Sequence, residues 1–291
     1  MLSRRGFLAA AGGAAALAVA GVGAGQPAVR RFVADLVDPE PSAPAPSAAA
    51  GPHASGVLTS TARGRDVNWR VAYPPGRRVG DALPVALVLH GRGGNERSAF
   101  DGLELDRYLA DVVAGGAPPF AVAAIDGGDH GYWHRRANGD DSGGMLLDEF
   151  VPVLGDQGLV TSKVGVFGWS MGGYGGLLLA ETAGPARIAA VAADSPALWS
   201  DFRDSAAGAF DGAADFAAHD VMAGAARLAG IPVRIACGDR DPFYGAVRAF
   251  APTVPDLAGT DLSTGAHTET FWRRTAPGQL RFLARALAGL A

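Results

Sequence analysis

Continuous apolar runs punctuate the chain at Leu83 to Leu89, Phe120 to Ile125, Val164 to Phe167, Ile188 to Ala192 and Val233 to Cys237, each with turn residues beyond it. Runs that are apolar at every position, instead of at alternate ones, are what strands buried on both faces of a parallel sheet require. Helix-length segments separate them: Arg97 to Ala114, Met145 to Leu154 and Met171 to Thr182, with Phe271 to Leu287 closing the chain. The alternation predicts an α/β fold, a mostly parallel central sheet with helices on both faces. Ahead of it, Val57 to Arg63 and Val67 to Tyr73 are short, rich in β-formers and split by Gly64-Arg65, which predicts an antiparallel hairpin ended by Pro74-Pro75-Gly76. Pro196 to Leu228 breaks the rhythm with Trp199, Phe202, Phe210 and Phe216 and reads as a short helical insertion above the sheet.

The first residues carry a different pattern. Ser3-Arg4-Arg5-Gly6-Phe7-Leu8 leads into an Ala/Gly-rich apolar run that reaches Ala24. This resembles a bacterial twin-arginine export signal, poor in Leu and Ile and so a weak membrane anchor, with small-residue cleavage points after both Ala20 and Ala24. Residues 25–56 follow as a Pro/Ala-rich tether that lacks the apolar area to offset its ordering entropy, and 57–291 remain as one folded domain. The expected protein is therefore secreted or held at the cell envelope, without stable membrane insertion once the leader is removed. The formal charge is −4, and losing the two leader arginines, with no acid beside them, makes it −6. Such a surface cannot neutralise a phosphate backbone, so nucleic acid is excluded as a partner. The chain's one cysteine, Cys237, has no second cysteine with which to form a disulfide or a redox pair, and reads as a small buried hydrophobe.

Gly168-Trp169-Ser170-Met171-Gly172 fits GxSxG, a weak signal by itself in a chain with 42 glycines. Its position between a predicted strand and a predicted helix gives it content, because a serine on that sharp turn presents its hydroxyl above the sheet edge. The Met171 amide and the helix N-terminus then point where negative charge would develop. A serine needs a base, and His267, in Thr264-Gly265-Ala266-His267 just before the last helix, is the candidate. The acid belongs after a strand end between the two. Asp241 in Cys237-Gly238-Asp239-Arg240-Asp241-Pro242 is preferred, with Asp239 and Asp194 as alternatives. His90-Gly91-Arg92-Gly93-Gly94 follows the first long strand, so that the Arg92 and Met171 amides form the expected oxyanion pair and His90 packs behind them. Asp126, Asp129, His130 and His134 suggest a metal, but Gly127, Gly128 and Gly131 argue against a helix that would align the histidines, and neither metal nor cofactor is expected.

The stretches Leu-His-Gly-Arg-Gly-Gly at 89–94, Gly-Trp-Ser-Met-Gly-Gly-Tyr-Gly at 168–175, Asp194-Ser195-Pro196, and Gly-Ala-His with Phe271-Trp272 at 265–272 resemble the bacterial serine esterase family that includes esterase D, feruloyl esterases and antigen 85 mycolyltransferases. The resemblance implies an α/β-hydrolase fold and ester chemistry without a metal, on a small-molecule or cell-wall acyl ester. It places catalytic roles on Ser170, Asp241, His267, Arg92 and Met171. Substrate contacts are expected from His134, Trp169 and Trp199. The stretch 257–263 is more polar than the last strand of that family, which predicts a short or irregular edge. Two other functions stand beside the esterase: an acyltransferase that passes the acyl group to a sugar hydroxyl, and a non-catalytic cell-wall binding protein on the same scaffold.

Overall fold

The structure, a computed structural model, describes residues 39–290. The expected leader and the first part of the expected tether lie outside the described residues. Among the described residues no helix is long and apolar enough to cross a membrane.

Eight strands form one sheet in the order β1-β2-β4-β3-β5-β6-β7-β8. The hairpin of β1 (His53–Ser60) and β2 (Arg65–Ala72) pairs antiparallel with itself and with β4. The remaining strands run parallel: β3 (Pro84–Leu89), β4 (Ala121–Ile125), β5 (Val160–Trp169), β6 (Ile188–Asp194), β7 (Val233–Ala236) and β8 (Leu257–Asp261). Alternate residues feed two different cores. Val85, Leu87 and Leu89 of β3 join one, while Ala86 and Val88 join the other, and β4 and β6 divide in the same way. That period of two is why these strands must be apolar throughout.

Helix α1 (Leu105–Ala114) and the long C-terminal α6 (Glu269–Leu287) cover one face. Helices α2 (Val151–Asp156) and α3 (Met171–Ala183) cover the other, together with the insertion that contains α4 (Ala213–Ala218); α5 (Tyr244–Phe250) follows β7. The two predicted helices at 97–114 and 145–154 are each interrupted. A π-helical turn at Ser98–Gly102 is separated from α1 by Glu104 in a left-handed conformation, and another at Met145–Phe150 precedes α2. Residue pattern alone does not distinguish such a wider turn from a regular one.

The tether also departs from expectation. Within the described residues the Pro44 carbonyl accepts from Tyr108 Oη at 2.6 Å, the Pro46 carbonyl from Arg107 at 2.8 Å, and Asp111 accepts from Ser47 and Ala48. Strand β1 begins at His53, inside the segment expected to be loose. Prolines lose little entropy on ordering and have no N–H to satisfy, so a proline-rich segment can lie along α1 on its carbonyls and the few donors of Ser47 and Ala48. At the other edge, β8 is half exposed along its length and its register with β7 shifts at Val233/Arg234, which accounts for its polar composition.

The bend between β5 and α3 leaves no room for side chains at two glycines. A Cβ on Gly168 would lie 2.2 Å from the Gly172 carbonyl oxygen, and one on Gly172 would lie 1.9 Å from that of Leu89, at the end of β3. We expect Gly172→Ala to lower stability by about 3 kcal/mol or more, whereas Gly245→Ala, which meets nothing within 4 Å in α5, is neutral or stabilising. Thermal melts of the two variants decide this, and equal melting temperatures would contradict the packing argument.

Candidate active site

The β5–α3 bend sets the geometry. Ser170 holds φ 56° and ψ −120°, a conformation that side-chain-bearing residues rarely adopt. Backbone bonds on both sides fasten it there: its N–H donates to the Asp194 carbonyl at 2.9 Å, and its own carbonyl accepts from Tyr174 and Ala197 at 3.1 Å each. The hydroxyl is thereby raised off the sheet at the head of α3.

His267 reaches it from the other side. Its Nε2 lies 2.8 Å from Ser170 Oγ and its Nδ1 2.7 Å from Asp241 Oδ2. The imidazole is placed by the start of α6, because the Thr268 side chain caps that helix by accepting from the Phe271 N–H. Trp272 and Phe243 stand edge-on to the ring, with centroids 5.0 Å and 5.4 Å away. Asp241 comes from the turn after β7. Its second oxygen accepts from the Phe243 N–H at 2.9 Å, and its side chain is fully buried. In a neutral imidazole only one nitrogen carries a proton, so a carboxylate at Nδ1 fixes that proton there and turns the Nε2 lone pair toward the serine.

The two alternative acids do other work. Asp239 accepts from the Gly265 N–H at 3.1 Å, fastening the loop that carries His267. Asp194 is completely buried on the far side of the bend, where it accepts from Thr275 Oγ1 at 2.6 Å and from Gln279 Nε2. Burial pushes its carboxyl up to about 7, a rise that those donors oppose only in part. Cys237 is buried too, and burial pushes its thiol up, away from the reactive thiolate.

The loop after β3 runs against the serine. A Cβ on Gly91 would lie 3.4 Å from Ser170 Cβ and 2.9 Å from Trp169 Nε1, so glycine is required for this approach. Gly93 N–H donates to Asp129 and Gly94 N–H to Gly91, while the Arg92 N–H has no acceptor among the described residues. Met171 opens α3, where a first-turn amide has no carbonyl to reach within its helix. His90 anchors the loop from behind: its Nε2 accepts from the Gly127 N–H at 2.9 Å, its Nδ1 lies 2.8 Å from the Gly91 carbonyl, and Trp133 stands edge-on to it. Burial holds the His90 imidazole below its ordinary range, so it stays neutral.

These groups open onto a cleft of about 490 Å³, walled by Arg92, Tyr132, Trp169, Phe243, Glu269 and Trp272. Of the expected substrate contacts, Trp169 is on this wall. Trp199 stands behind it, with its ring 5.5 Å from Tyr132 and 5.4 Å from Phe243. His134 is not on the wall; it is buried, stacked between Phe210 and His219, and lines a different cavity of about 270 Å³. Burial and the adjacent His219 hold it below the ordinary histidine range. The reason is the left-handed backbone at Tyr132 and Trp133, with φ of 47° and 59°, which turns successive side chains in directions that loop composition does not reveal. Tyr132, Phe243 and Glu269 were not singled out from the sequence. Phe243, two residues past Asp241, and Glu269, two past His267, could have been found by proximity to the candidate residues.

A family model described as "Putative esterase" matches residues 60–258. Among solved structures, a ferulic acid esterase superimposes with a TM-score of 0.68 at 18% identity, covering 81% of this chain and 98% of that one. An S-formylglutathione hydrolase from Staphylococcus aureus gives 0.66 at 17%, with coverages of 80% and 98%. A ferulic acid esterase from Anaeromyces mucronatus, solved with ferulic acid, gives 0.64 at 16%, with coverages of 85% and 95%. No curated protein matches the chain at a significant level. The structural likeness establishes the fold as that of the α/β-hydrolases.

Asp194 generates a pH-dependent prediction. Its folded-state value of about 7 lies above the ordinary 3.8, so the stability it contributes is present at low pH and is lost as pH rises through about 7. Asp194→Asn keeps the neutral shape, and its melting temperature should fall less between pH 5 and pH 8 than that of the wild type. Parallel profiles would show that Asp194 is charged in the fold throughout.

Proposed function

The chain belongs to the esterase family, as a carboxylic ester hydrolase of the α/β-hydrolase fold, and we propose that it acts through an acyl-enzyme formed on Ser170. The observation that carries this reading is the unbroken pair of hydrogen bonds from Ser170 Oγ through His267 to Asp241, 2.8 Å and 2.7 Å long. His267 Nε2 takes the hydroxyl proton as Oγ attacks the ester carbonyl carbon. The carbonyl oxygen gains charge and is received by the Arg92 and Met171 amides, each contributing about 3 kcal/mol to the transition state. Collapse expels the alcohol, which leaves with the proton held on His267. Water, deprotonated by the same imidazole, then releases the acid and restores the serine. Asp241 keeps the imidazole in the productive tautomer and stabilises the imidazolium without taking its proton.

The cleft supports a compact ester. Tyr132, Trp169, Phe243 and Trp272 offer flat apolar faces, while Arg92 and Glu269 at the exposed rim suit a polar or hydroxyl-bearing alcohol portion. The Arg4-Arg5 leader supports export by the twin-arginine route and action outside the cytoplasm. Retention of activity toward extracellular ester by cells expressing the full chain, and its loss when Arg4 and Arg5 are both replaced by Lys, would agree with that placement.

Ser170→Ala should reduce p-nitrophenyl acetate turnover by about 10⁶-fold with an unchanged melting temperature. Asp241→Asn should cost about 10⁴-fold through the wrong tautomer. Asp239→Asn, which disturbs only the loop bond to Gly265, should cost far less. Steady-state kinetics on the purified variants measure all three. Surviving activity in Ser170→Ala removes the serine assignment, and a reversed order of the two aspartates moves the acid to Asp239.

A further inference from the structure

A second constellation lies outside the cleft. Asp215 in α4 and His219 at its C-terminal end are four residues apart, and that spacing puts both side chains on one helical face. His134, from the loop after β4, meets them there. His219 Nδ1 is 3.0 Å from Asp215 Oδ1, His134 Nδ1 is 3.9 Å from the same oxygen, and one donor atom from each residue lies within 4.8 Å of the others. The two imidazoles are nearly parallel, with centroids 4.3 Å apart.

The lone pairs in this cluster outnumber the protons available to them. His134 Nε2 lies 3.2 Å from the Ala209 carbonyl oxygen, and its Nδ1 lies 3.0 Å from that of Arg135. A neutral imidazole has a single N–H. Spent on Ala209, it leaves the Nδ1 lone pair facing the Arg135 and Asp215 oxygens. His219 Nδ1 faces the Asp215 carbonyl at 2.9 Å as well as the carboxylate. Charging both stacked rings would set like charges side by side. The nearby Arg136 does not supply the missing cation, because it is engaged by Asp211 and by the carbonyls of His130 and Gly208.

We propose that His134, Asp215 and His219 form a binding site for a divalent transition-metal ion of the zinc type. Two imidazoles and one carboxylate are a borderline-soft donor set of the kind zinc takes. Bonds of about 2.0–2.1 Å at tetrahedral angles separate neighbouring ligand atoms by roughly 3.3 Å. The Asp215 oxygen lies 3.0 Å and 3.9 Å from the two Nδ1 atoms, which brackets that value, and closing the site on an ion requires the stacked imidazoles to turn so that their lone pairs converge. The Nε2–H of His134 held on the Ala209 carbonyl is the outer support that metal-bound imidazoles require. On binding, the proton of His219 Nδ1 is lost or moves to Nε2. A water fills the fourth position from the open cavity bordered by Asp215 and His219. Since Tyr132 of the cleft wall is two residues before His134, the ion would tie the insertion to the loop that shapes the cleft. This role is structural and is separate from the chemistry at Ser170.

The test is titration of the chelator-treated, dialysed full-length protein with Zn²⁺ by calorimetry, and with Co²⁺ by visible absorption. One equivalent should bind, raise the melting temperature and, with Co²⁺, give the intense absorption bands of a tetrahedral site. Asp215→Asn and His219→Gln should each weaken binding about tenfold or more, while His130→Ala, on the same loop but outside the cluster, should bind as the wild type does. The second ligand variant serves if the first does not fold, and melting curves without metal report that directly. No stoichiometric binding, or equal affinity in the wild type and both ligand variants, overturns the site; either result leaves the esterase reading untouched, because ester turnover by the metal-free protein is measured in the same samples.

Discussion

The bend at Ser170 is the constraint on which the rest of the molecule turns. A serine at φ 56° costs about 1–3 kcal/mol relative to ordinary backbone, and the surroundings must hold it there. They do so with backbone at very short range: α3 enters so close to the ends of β3 and β5 that Gly168 and Gly172 admit no Cβ, and β6 holds the serine amide through the Asp194 carbonyl. The parallel strands therefore place this turn at the carboxyl edge of the sheet, where the turns that follow β3, β6 and β7 also come together. The same close packing that strains the bend brings the Gly91 loop against the hydroxyl.

The partners they meet decide the different behaviour of the two buried acidic groups around that bend. Asp194 is the last residue of β6 and Asp241 lies in the turn after β7, and both have inaccessible side chains. Asp194 faces two neutral donors, Thr275 and Gln279, and its environment favours the protonated form. Asp241 faces the Nδ1 of His267, a group that can become positive, and also accepts from a backbone amide. Only the second arrangement suits a carboxylate that must stabilise an imidazolium during proposed turnover. Position at or after a strand end is therefore not enough to identify the acid; the partner it meets makes the difference.

The sheet was legible because a strand buried on both faces leaves an unmistakable apolar run, and β3 through β7 fell where those runs lie. The turn at Ser170 was legible for a related reason, since a run ending in Gly-x-Ser-x-Gly before a helix has few other uses. The interruptions ahead of α1 and α2 were not, because π-helical turns use the same residues as regular helix. The placement of 44–52 was missed because composition reports what a segment can bury and not which carbonyls a neighbouring helix will take. His134 was assigned to the cleft because loop residues carry no periodicity, and the two left-handed residues before it send Tyr132 toward the serine and His134 away from it. Its partners Asp215 and His219 lie about eighty residues further along the chain, a separation no local pattern bridges.

The Ser170 hydroxyl is proposed to be activated by its neighbours, and covalent labelling tests that most directly. The purified protein is treated with a serine-directed fluorophosphonate and the adduct is mapped by peptide mass spectrometry, alongside Asp241→Asn. A single adduct on the peptide containing Ser170, formed far more slowly in the variant, is the expected result. A folded wild-type protein that takes no label there, or takes it on a different serine, would contradict the assignment.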